Sequence, residues 1–295
     1  MATPGSSTMT PSSDPSSSPG ELPPTWLAVD LGLTQRDHVH ALMSSRQHGI
    51  SQPPYAQCNL GDHVQDDPRA VAHNRAILAS HMGARPVWMT QVHGNEVIRL
   101  RHGAFADGVQ PHADGALTTE PGLACTVMVA DCLPVLLAAP QGRGVAALHA
   151  GWRGLAGAGE MKGRGIVHTG VQALCEATGA DPGDLHAWLG PCIGPSQFEV
   201  GPDVLEGFGV DPADCLRSAA VPPRFQFRGG AQPNAQLHQA KWLADLPGLA
   251  HDLLSSLGVR AITGGQWCTV SAPSRFFSYR RDGVTGRQAA SICLR

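Results

Sequence analysis

Three apolar runs follow one another in the middle of the chain: LACTVMV (residues 123–129), LPVLLAA (residues 133–139) and VAAL (residues 145–148). Each run is continuous and is bounded by Gly, Pro or Asp. Runs of this length are typical of strands that are covered on both faces, although periodicity alone also allows a buried helix. We therefore predict that these runs form the centre of the fold.

Shorter elements surround this centre. Short apolar runs beside turn residues predict strands, which cover residues 26–31, 38–43, 86–91, 96–100, 188–189, 261–262 and 289–294. Helical spacing and terminal Pro or Gly residues predict helices at residues 68–83, 166–178, 204–208, 237–243 and 249–257, with longer loops at residues 101–115 and 222–233. Strands interleaved with helices indicate a mixed α/β domain.

The composition favours a globular enzyme. Of the 295 residues, 42% are hydrophobic and 15% charged, and the formal net charge is −3. This charge gives no reason to expect nucleic acid or an acidic membrane surface as a partner. No apolar run reaches the ~18 residues of a membrane-spanning helix. The sequence does not indicate an oligomeric state.

The first 24 residues differ from the rest of the chain. They consist almost entirely of Ser, Pro, Thr and Gly, and they have neither a basic start nor an apolar core like that of a secretory signal. Such a composition does not bury enough apolar surface to offset its ordering entropy. We predict a disordered tail over residues 1–24, a single catalytic domain over residues 25–295, and a cytoplasmic location.

The eight cysteines are spread along the chain without any C-x-x-C pair. A structural zinc site made of four cysteines and a thioredoxin-type redox pair therefore both lack their sequence signature. We expect free thiols, most of them buried in the core.

Three motifs place a metal-capable side chain at the end of an apolar strand. They are QVHG (residues 91–94), VADCLPV (residues 129–135) and LHAGWRG (residues 148–154), and they carry His93, Cys132 and His149. Two imidazoles and one thiolate form a three-ligand zinc set that leaves one position open, which is the pattern of a catalytic site. Spacing alone also allows three unrelated core residues. A further alternative is a Cys132 nucleophile with His149 as its base.

Several arginines are candidates for binding an anion. Arg46, Arg153 and Arg280 lie in loop-like stretches beside glycines or turn residues, and guanidinium groups suit phosphate or carboxylate. The alternative for each arginine is a surface salt bridge. No Walker A motif and no G-x-G-x-x-G after a strand is present, so nucleoside triphosphate and dinucleotide binding have no support.

Taken together, QVHG, VADCLPV, LHAGWRG, WLGPCIGPSQFEVG and FFSYRRDGVTGRQA resemble a widespread bacterial family. Its members are known as laccase-type polyphenol oxidases, as purine nucleoside phosphorylases with adenosine deaminase activity, and as a peptidoglycan editing factor. The resemblance runs from about residue 36 to the C-terminus. It implies two mixed β-sheets packed face to face with helices outside, similar to the deamidase domain of cytotoxic necrotizing factors.

The resemblance also implies site residues and an activity. The family's zinc ligands correspond to His93, Cys132 and His149, and its early arginine motif assigns a substrate contact to Arg46. The N-L-G-D-H stretch matches residues 59–63 and adds Asn59 to the expected contacts. The implied function is phosphorolysis of inosine, adenosine or methylthioadenosine, with Arg153 or Arg280 as further phosphate contacts.

Two other enzyme activities remain as alternatives. One is a cysteine hydrolase or amidase that edits peptidoglycan precursors. The other is a copper-dependent polyphenol oxidase, but a multi-copper enzyme needs many clustered histidines, and this sequence has one H-x-H, at residues 38–40, and no H-C-H. Cu(II) can still bind nitrogen ligands in place of zinc, because it stands above zinc in the affinity order.

Overall fold

The computed structural model describes residues 22–34, 37–104, 109–217, 223–229 and 239–295. Most of the predicted tail, residues 1–21, lies outside this range. Leu22, which belongs to the predicted tail, packs against the core. The disorder of the tail and the single-domain division remain predictions.

The secondary structure alternates as the sequence predicts. The strands are β1 (Leu27–Ala28), β2 (Val39–Met43), β3 (Arg85–Val87), β4 (Val97–Leu100), β5 (Gly115–Thr118), β6 (Leu123–Val129), β7 (Leu133–Ala138), β8 (Val145–Ala150), β9 (His186–Leu189), β10 (Glu199–Val200), β11 (Phe225–Gly229), β12 (Lys241–Ala244), β13 (Ala261–Gly264) and β14 (Gln288–Leu294). The helices are α1 (Pro68–Met82), α2 (Trp152–Ala156), α3 (Ile166–Thr178), α4 (Pro202–Gly207), α5 (Pro212–Arg217), α6 (Leu246–Ser256) and α7 (Tyr279–Asp282).

Two large sheets and one small sheet are formed by the described strands. The first large sheet has the order β1-β2-β14-β6-β3, and the second has the order β13-β9-β7-β8-β5-β4. Each combines antiparallel pairs with parallel ones, β3 with β6 in the first sheet and β4 with β5 and β9 with β13 in the second. The small sheet, β10-β12-β11, is antiparallel.

The two large sheets pack face to face, and helices cover their outer faces. One face of β6 lies between the sheets and consists of Leu123, Cys125, Val127 and Val129. The other face contains Ala124 and Met128, which pack outward against α1. In β7, Leu136 and Ala138 lie between the sheets, and the alternate residues face the cluster that contains α3 and α6. Because both faces of these strands are buried, their sequences read as continuous apolar runs. The expected layered fold is confirmed.

Local signals explain the helix ends that the sequence predicts. The side chain of Asp67 accepts a hydrogen bond from the backbone of Arg69 at the start of α1, and Pro68 occupies the first turn. Gly83 closes the helix with a left-handed φ of 61°. The predicted helix 166–178 coincides with α3.

The region around residues 222–247 differs from the prediction. The predicted helix 237–243 is wrong, because residues 241–244 form strand β12, and the predicted loop 222–233 contains strand β11. Residues 222, 230–233 and 237–238 of these predictions lie outside the described residues. Trp242 is fully buried and pairs across the small sheet, so packing decides the conformation of an apolar stretch that also suits a helix. Pro247 does not separate two helices but lies in the first turn of α6.

The predicted strands 26–31 and 86–91 are shorter than expected, since β1 and β3 end at Ala28 and Val87. After β3, the side chain of Gln91 continues the pairing by exchanging two hydrogen bonds of 2.8 Å with the backbone of Met128. β3 and β4 then belong to different sheets, so the QVHG turn carries the chain from one sheet to the other.

Among the described residues, no helix has the length and apolar character that crossing a membrane requires.

Candidate functional site

The three sequence motifs meet where the two large sheets end. His93 lies in the turn after β3, Cys132 lies between β6 and β7, and His149 lies near the end of β8. The Cys132 sulfur is 3.7 Å from Nε2 of His93, and the candidate ligand atoms of all three side chains lie within 4.8 Å of one another. His149 is buried, Cys132 is half-buried and His93 is exposed. Solvent or substrate therefore has access from the His93 side.

A buried carboxylate holds both imidazoles in position. Asp114 accepts a hydrogen bond of 2.8 Å from Nδ1 of His149, which leaves Nε2 as the free ring nitrogen. The same carboxylate accepts the backbone N–H groups of Val92, His93 and Gly94 at 2.7–3.1 Å. Burial by itself raises the pKa of Asp114, but the hydrogen bonds from His149 and the backbone outweigh it and lower that pKa. Asp114 thus favours its ionised form and orients the candidate ligand His149 directly and the candidate ligand His93 through its backbone.

The backbone around the site lets the three candidate ligands lie close together. A Cβ atom at Gly151 would lie 2.9 Å from Cδ2 of His93 and 3.0 Å from the Cys132 sulfur, so only glycine leaves room for both. His93 and Asp131 adopt left-handed φ angles of 61° and 97°. Such angles cost free energy in a residue that has a Cβ atom, and they are typical of functional sites.

Asp131 fixes the loop that carries Cys132. Its carboxylate accepts hydrogen bonds of 2.6 Å from the Thr269 hydroxyl and from the backbone N–H of Arg280, and its carbonyl oxygen accepts one from Ile193. Three chain segments therefore meet at the residue before Cys132.

The charges of Cys132 and His149 support each other. Burial raises the pKa of the Cys132 thiol, but the His149 and His93 imidazoles outweigh it and lower that pKa to about 6. Burial lowers the pKa of His149, but Cys132 and Asp114 outweigh it and raise that pKa to about 9. Both shifts favour the thiolate and the imidazolium in the metal-free pair, and metal binding requires His149 to lose its proton.

A cavity of about 570 Å³ opens onto His93, Cys132 and His149. Its size is in the range of small-molecule sites. One part of its wall is apolar and consists of Met89, Met128, Val129 and Ala130. The polar part consists of Asp62, His63, Thr90, Gln91, Gln110, Tyr279 and Arg287.

The predicted arginine contacts do not border this cavity. The Arg46 guanidinium donates to the carbonyl oxygens of Ala56 and Pro273 and lies 4.9 Å from the ring centre of Phe277. Arg153 is exposed and stacks on Trp152 at 4.4 Å. The Arg280 side chain donates to the carbonyl oxygen of Glu199 at 2.9 Å. Substrate contacts by these three residues remain predictions.

Asn59 is buried and makes all its contacts within the protein. Its side-chain amide donates to Gly61 and Asp66, and its side-chain oxygen accepts the backbone N–H groups of Gly61 and Arg287. Asn59 therefore shapes the wall of the cavity from behind, and a direct substrate contact by Asn59 likewise remains a prediction.

Sequence reasoning missed Asp114 and Arg287. Asp114 lies at the end of a stretch predicted as a loop, and its only signal is its place directly before β5. Arg287 lies directly before β14 in the quoted stretch FFSYRRDGVTGRQA, and its position at the end of an apolar strand is the signal that would have found it.

The mixed α/β sandwich and the cluster of His93, Cys132 and His149 lie within the part of the chain that a family model matches. The chain belongs to the family described as multi-copper polyphenol oxidoreductase laccase, whose model matches residues 40–295.

Curated relatives carry a more specific name. A purine nucleoside phosphorylase of Pseudomonas aeruginosa is 41% identical over 270 residues, which cover 91% of this chain and 98% of the relative. Purine nucleoside phosphorylase YfiH of Escherichia coli is 41% identical over 258 residues, which cover 87% of this chain and 94% of the relative.

Solved structures share the fold. Protein NMB0706 of Neisseria meningitidis superposes with a TM-score of 0.76 at 38% identity, covering 92% of this chain and 99% of the other. YlmD of Geobacillus stearothermophilus superposes with a TM-score of 0.74 at 30% identity, covering 90% and 94% of the two chains.

Proposed function

We propose that this protein is a zinc-dependent purine nucleoside phosphorylase that acts on inosine, adenosine and methylthioadenosine and also deaminates adenosine. The observation that carries the proposal is the convergence of His93, Cys132 and His149 on one side of a cavity large enough for a nucleoside. Relatives named purine nucleoside phosphorylase that match nearly the whole chain support the same activity.

The donor set fits zinc. Two imidazoles and one thiolate are ligands that zinc accepts, and three protein ligands leave a fourth position for another group. The hydrogen bond from His149 to Asp114 is the kind of outer contact that fixes a metal-binding imidazole. The room that Gly151 leaves between His93 and Cys132 supports the same reading. Held by His93, Cys132 and His149, zinc would supply Lewis acidity, which can stabilise negative charge on a substrate.

The protein's own residues contribute binding and orientation. The apolar wall formed by Met89, Met128 and Val129 suits the face of a purine base, because burying it removes apolar surface from water. Asp114 fixes the His149 ring through Nδ1, which leaves the other ring nitrogen for Cys132 and for an ion shared with it. Phosphorolysis also requires an anion site for phosphate beside the nucleoside. Deamination requires the purine ring to lie next to His93, Cys132 and His149.

One experiment tests the proposal. Purified full-length protein is analysed for zinc and incubated with inosine and phosphate while hypoxanthine is measured, and adenosine is then followed for conversion to inosine. We expect one zinc ion per chain and phosphate-dependent hypoxanthine release, both lost in Cys132→Ala with the fold retained. Absence of phosphate-dependent release from the zinc-loaded protein would refute the proposal.

A second candidate is a cysteine hydrolase acting on an amide, such as a peptidoglycan precursor. The observation that favours this candidate is that Cys132 contacts His149 and that His149 contacts Asp114. A nucleophile, a base and a carboxylate that orients the base form a hydrolase triad. Metal-free protein that cleaves an amide, with inhibition by added zinc, would favour this candidate. Zinc-stimulated activity on nucleosides would favour the phosphorylase.

The oxidase alternative has less support. Among the described residues, His93, Cys132 and His149 are the one group of three or more side chains placed to share an ion. His40, from the H-x-H stretch, instead makes a hydrogen bond of 3.0 Å with the carbonyl oxygen of His81. A single site of this kind is compatible with copper binding but not with a multi-copper cluster.

A further inference from the structure

Arg287 is the arginine that borders the cavity, among those that the structure describes. Its guanidinium lies near enough to Cys132 and Asp131 for both groups to raise its pKa, while burial, the larger influence, lowers it. Arg287 thus brings a positive charge to the same space as the candidate metal ligands.

No described carboxylate forms an ion pair with Arg287. Arg75, Arg224 and Arg281 are paired with Asp62, Asp245 and Asp282 at 2.6–3.2 Å. The three arginines predicted from the sequence are instead stacked on aromatic rings. A partly buried guanidinium with no carboxylate or ring in direct contact would be further compensated by an anion in the cavity.

The protein holds Arg287 in a fixed position. Its backbone N–H donates to the Asn59 side chain at 2.8 Å, and its carbonyl oxygen accepts a hydrogen bond from Leu60 at 2.9 Å. One terminal nitrogen donates to the carbonyl oxygens of Thr285 and Gly286 at 3.0 and 3.1 Å. A Cβ atom at Gly61 would lie 2.8 Å from Cγ of Arg287, so the glycine makes room for the stem. A guanidinium anchored by one nitrogen keeps its other donors for a ligand.

The neighbouring acid does not cancel this charge. Asp62 also lines the cavity, but it is engaged by Arg75 at 3.2 Å and by the side chain of Gln110. His63, beside it on the cavity wall, has its Nδ1 3.6 Å from Asp62, and burial and then the nearby Arg287 charge lower the pKa of its imidazole. The polar wall therefore has donors facing the cavity and an acid whose charge is already paired.

We propose that Arg287, assisted by His63, forms the phosphate-binding subsite of this cavity. The role of phosphate as a reactant rests on the proposed phosphorylase function, whereas binding of the anion does not. The subsite takes a tetrahedral oxyanion, either inorganic phosphate or the phosphate group of a pentose 1-phosphate.

Calorimetric titration of the zinc-loaded protein with inorganic phosphate tests the subsite directly. Arg287→Gln removes the charge and is expected to weaken phosphate binding about tenfold or more, as is usual for a lost hydrogen bond to a charged group. Arg287→Lys keeps the positive charge but loses the paired N–H donors of the guanidinium, so its affinity for phosphate is expected to be intermediate. Arg260→Gln is the matched control, because Arg260 is exposed beside Gly183 and does not line the cavity, and it is expected to bind as the unchanged protein does.

A second arm titrates a pentose 1-phosphate to separate the two sources of the anion. Tighter binding of the ester, with the same loss in Arg287→Gln, assigns the subsite to the sugar phosphate, and equal or weaker binding assigns it to inorganic phosphate. Zinc content and thermal unfolding are measured for every variant, and Arg287→Lys replaces Arg287→Gln if the latter does not fold.

The outcomes distinguish the subsite from the proposed function. Phosphate binding that depends on Arg287 without any release of hypoxanthine would keep the subsite and refute the phosphorylase. Phosphorolysis with an unchanged KM for phosphate in Arg287→Gln would keep the phosphorylase and refute the subsite. Loss of zinc with unchanged phosphate affinity would show that Arg287 only balances the Cys132 thiolate, which also overturns the proposal.

Discussion

Replacing Asp114 by Asn tests whether one carboxylate organises the site. Oδ1 accepts hydrogen bonds from Nδ1 of His149 at 2.8 Å and the backbone of His93 at 2.9 Å, and Oδ2 accepts those of Val92 at 3.1 Å and Gly94 at 2.7 Å. An amide has one oxygen, so its NH2 group must face two of these donors. A hydrogen bond to a charged group contributes about 1.5–3 kcal/mol, so we expect a loss of about 3–6 kcal/mol in the free energy of unfolding.

The same substitution should weaken metal binding. If the NH2 group faces His149, the ring loses the acceptor that fixes its tautomer, and if it faces Val92 and Gly94, the turn that carries His93 loosens. Outer contacts of this kind typically change metal affinity by about 10- to 100-fold. We expect a loss in this range, measured by competition with a chromophoric chelator and by the sulfur-to-metal absorption of the cobalt-substituted protein.

Asp37→Asn is the matched control. Asp37 also accepts several hydrogen bonds, from the backbone and hydroxyl of Thr34 and from the backbone of Gln141, at 2.8–2.9 Å, but it does not contact a candidate ligand. It should lower thermal stability without changing metal affinity. If Asp114→Asn bound zinc as tightly as the unchanged protein while losing stability, the idea that Asp114 orients the ligands would be wrong.

Three further predictions concern the same ligands. Gly151→Ala should lower zinc content and activity at least about tenfold with the fold retained, because the added Cβ would crowd His93 and Cys132. Gly183→Ala is the control and should change neither, because a Cβ there would have no neighbour closer than 3.4 Å. In metal-free protein, alkylation of Cys132 should rise with a midpoint near pH 6, and a midpoint above pH 8 would contradict the lowered pKa. The pKa of His149 is raised to about 9, so zinc binding between pH 6 and 9 requires His149 to release a proton. Zinc affinity from chelator competition should therefore increase about tenfold per pH unit over this range, and a flat profile would exclude this linkage.

The sequence by itself determined the elements whose signals are local. The strands β6, β7 and β8 are readable because both of their faces are buried, and α1 is readable because Asp67, Pro68 and Gly83 satisfy its ends. Cys132 and His149 stand beside such strands, but their assignment together with His93 as candidate metal ligands came from the resemblance to the family, because spacing alone left unrelated core residues as an alternative. Burial and helix capping are properties of a residue and its near neighbours, so they leave a pattern in the chain.

Only the tertiary structure decided which of these ends meet and what lies between them. β14 pairs with β6 and β2, for example Gln288 with Val129 and Ala290 with Met43, and this pairing brings Arg287 to the cavity from the far end of the chain. Asp114 reaches His149 through the pairing of β5 with β8. The conformation of β12 likewise depends on its neighbours. These contacts follow from long-range packing of the two sheets, which no local pattern of residue types records.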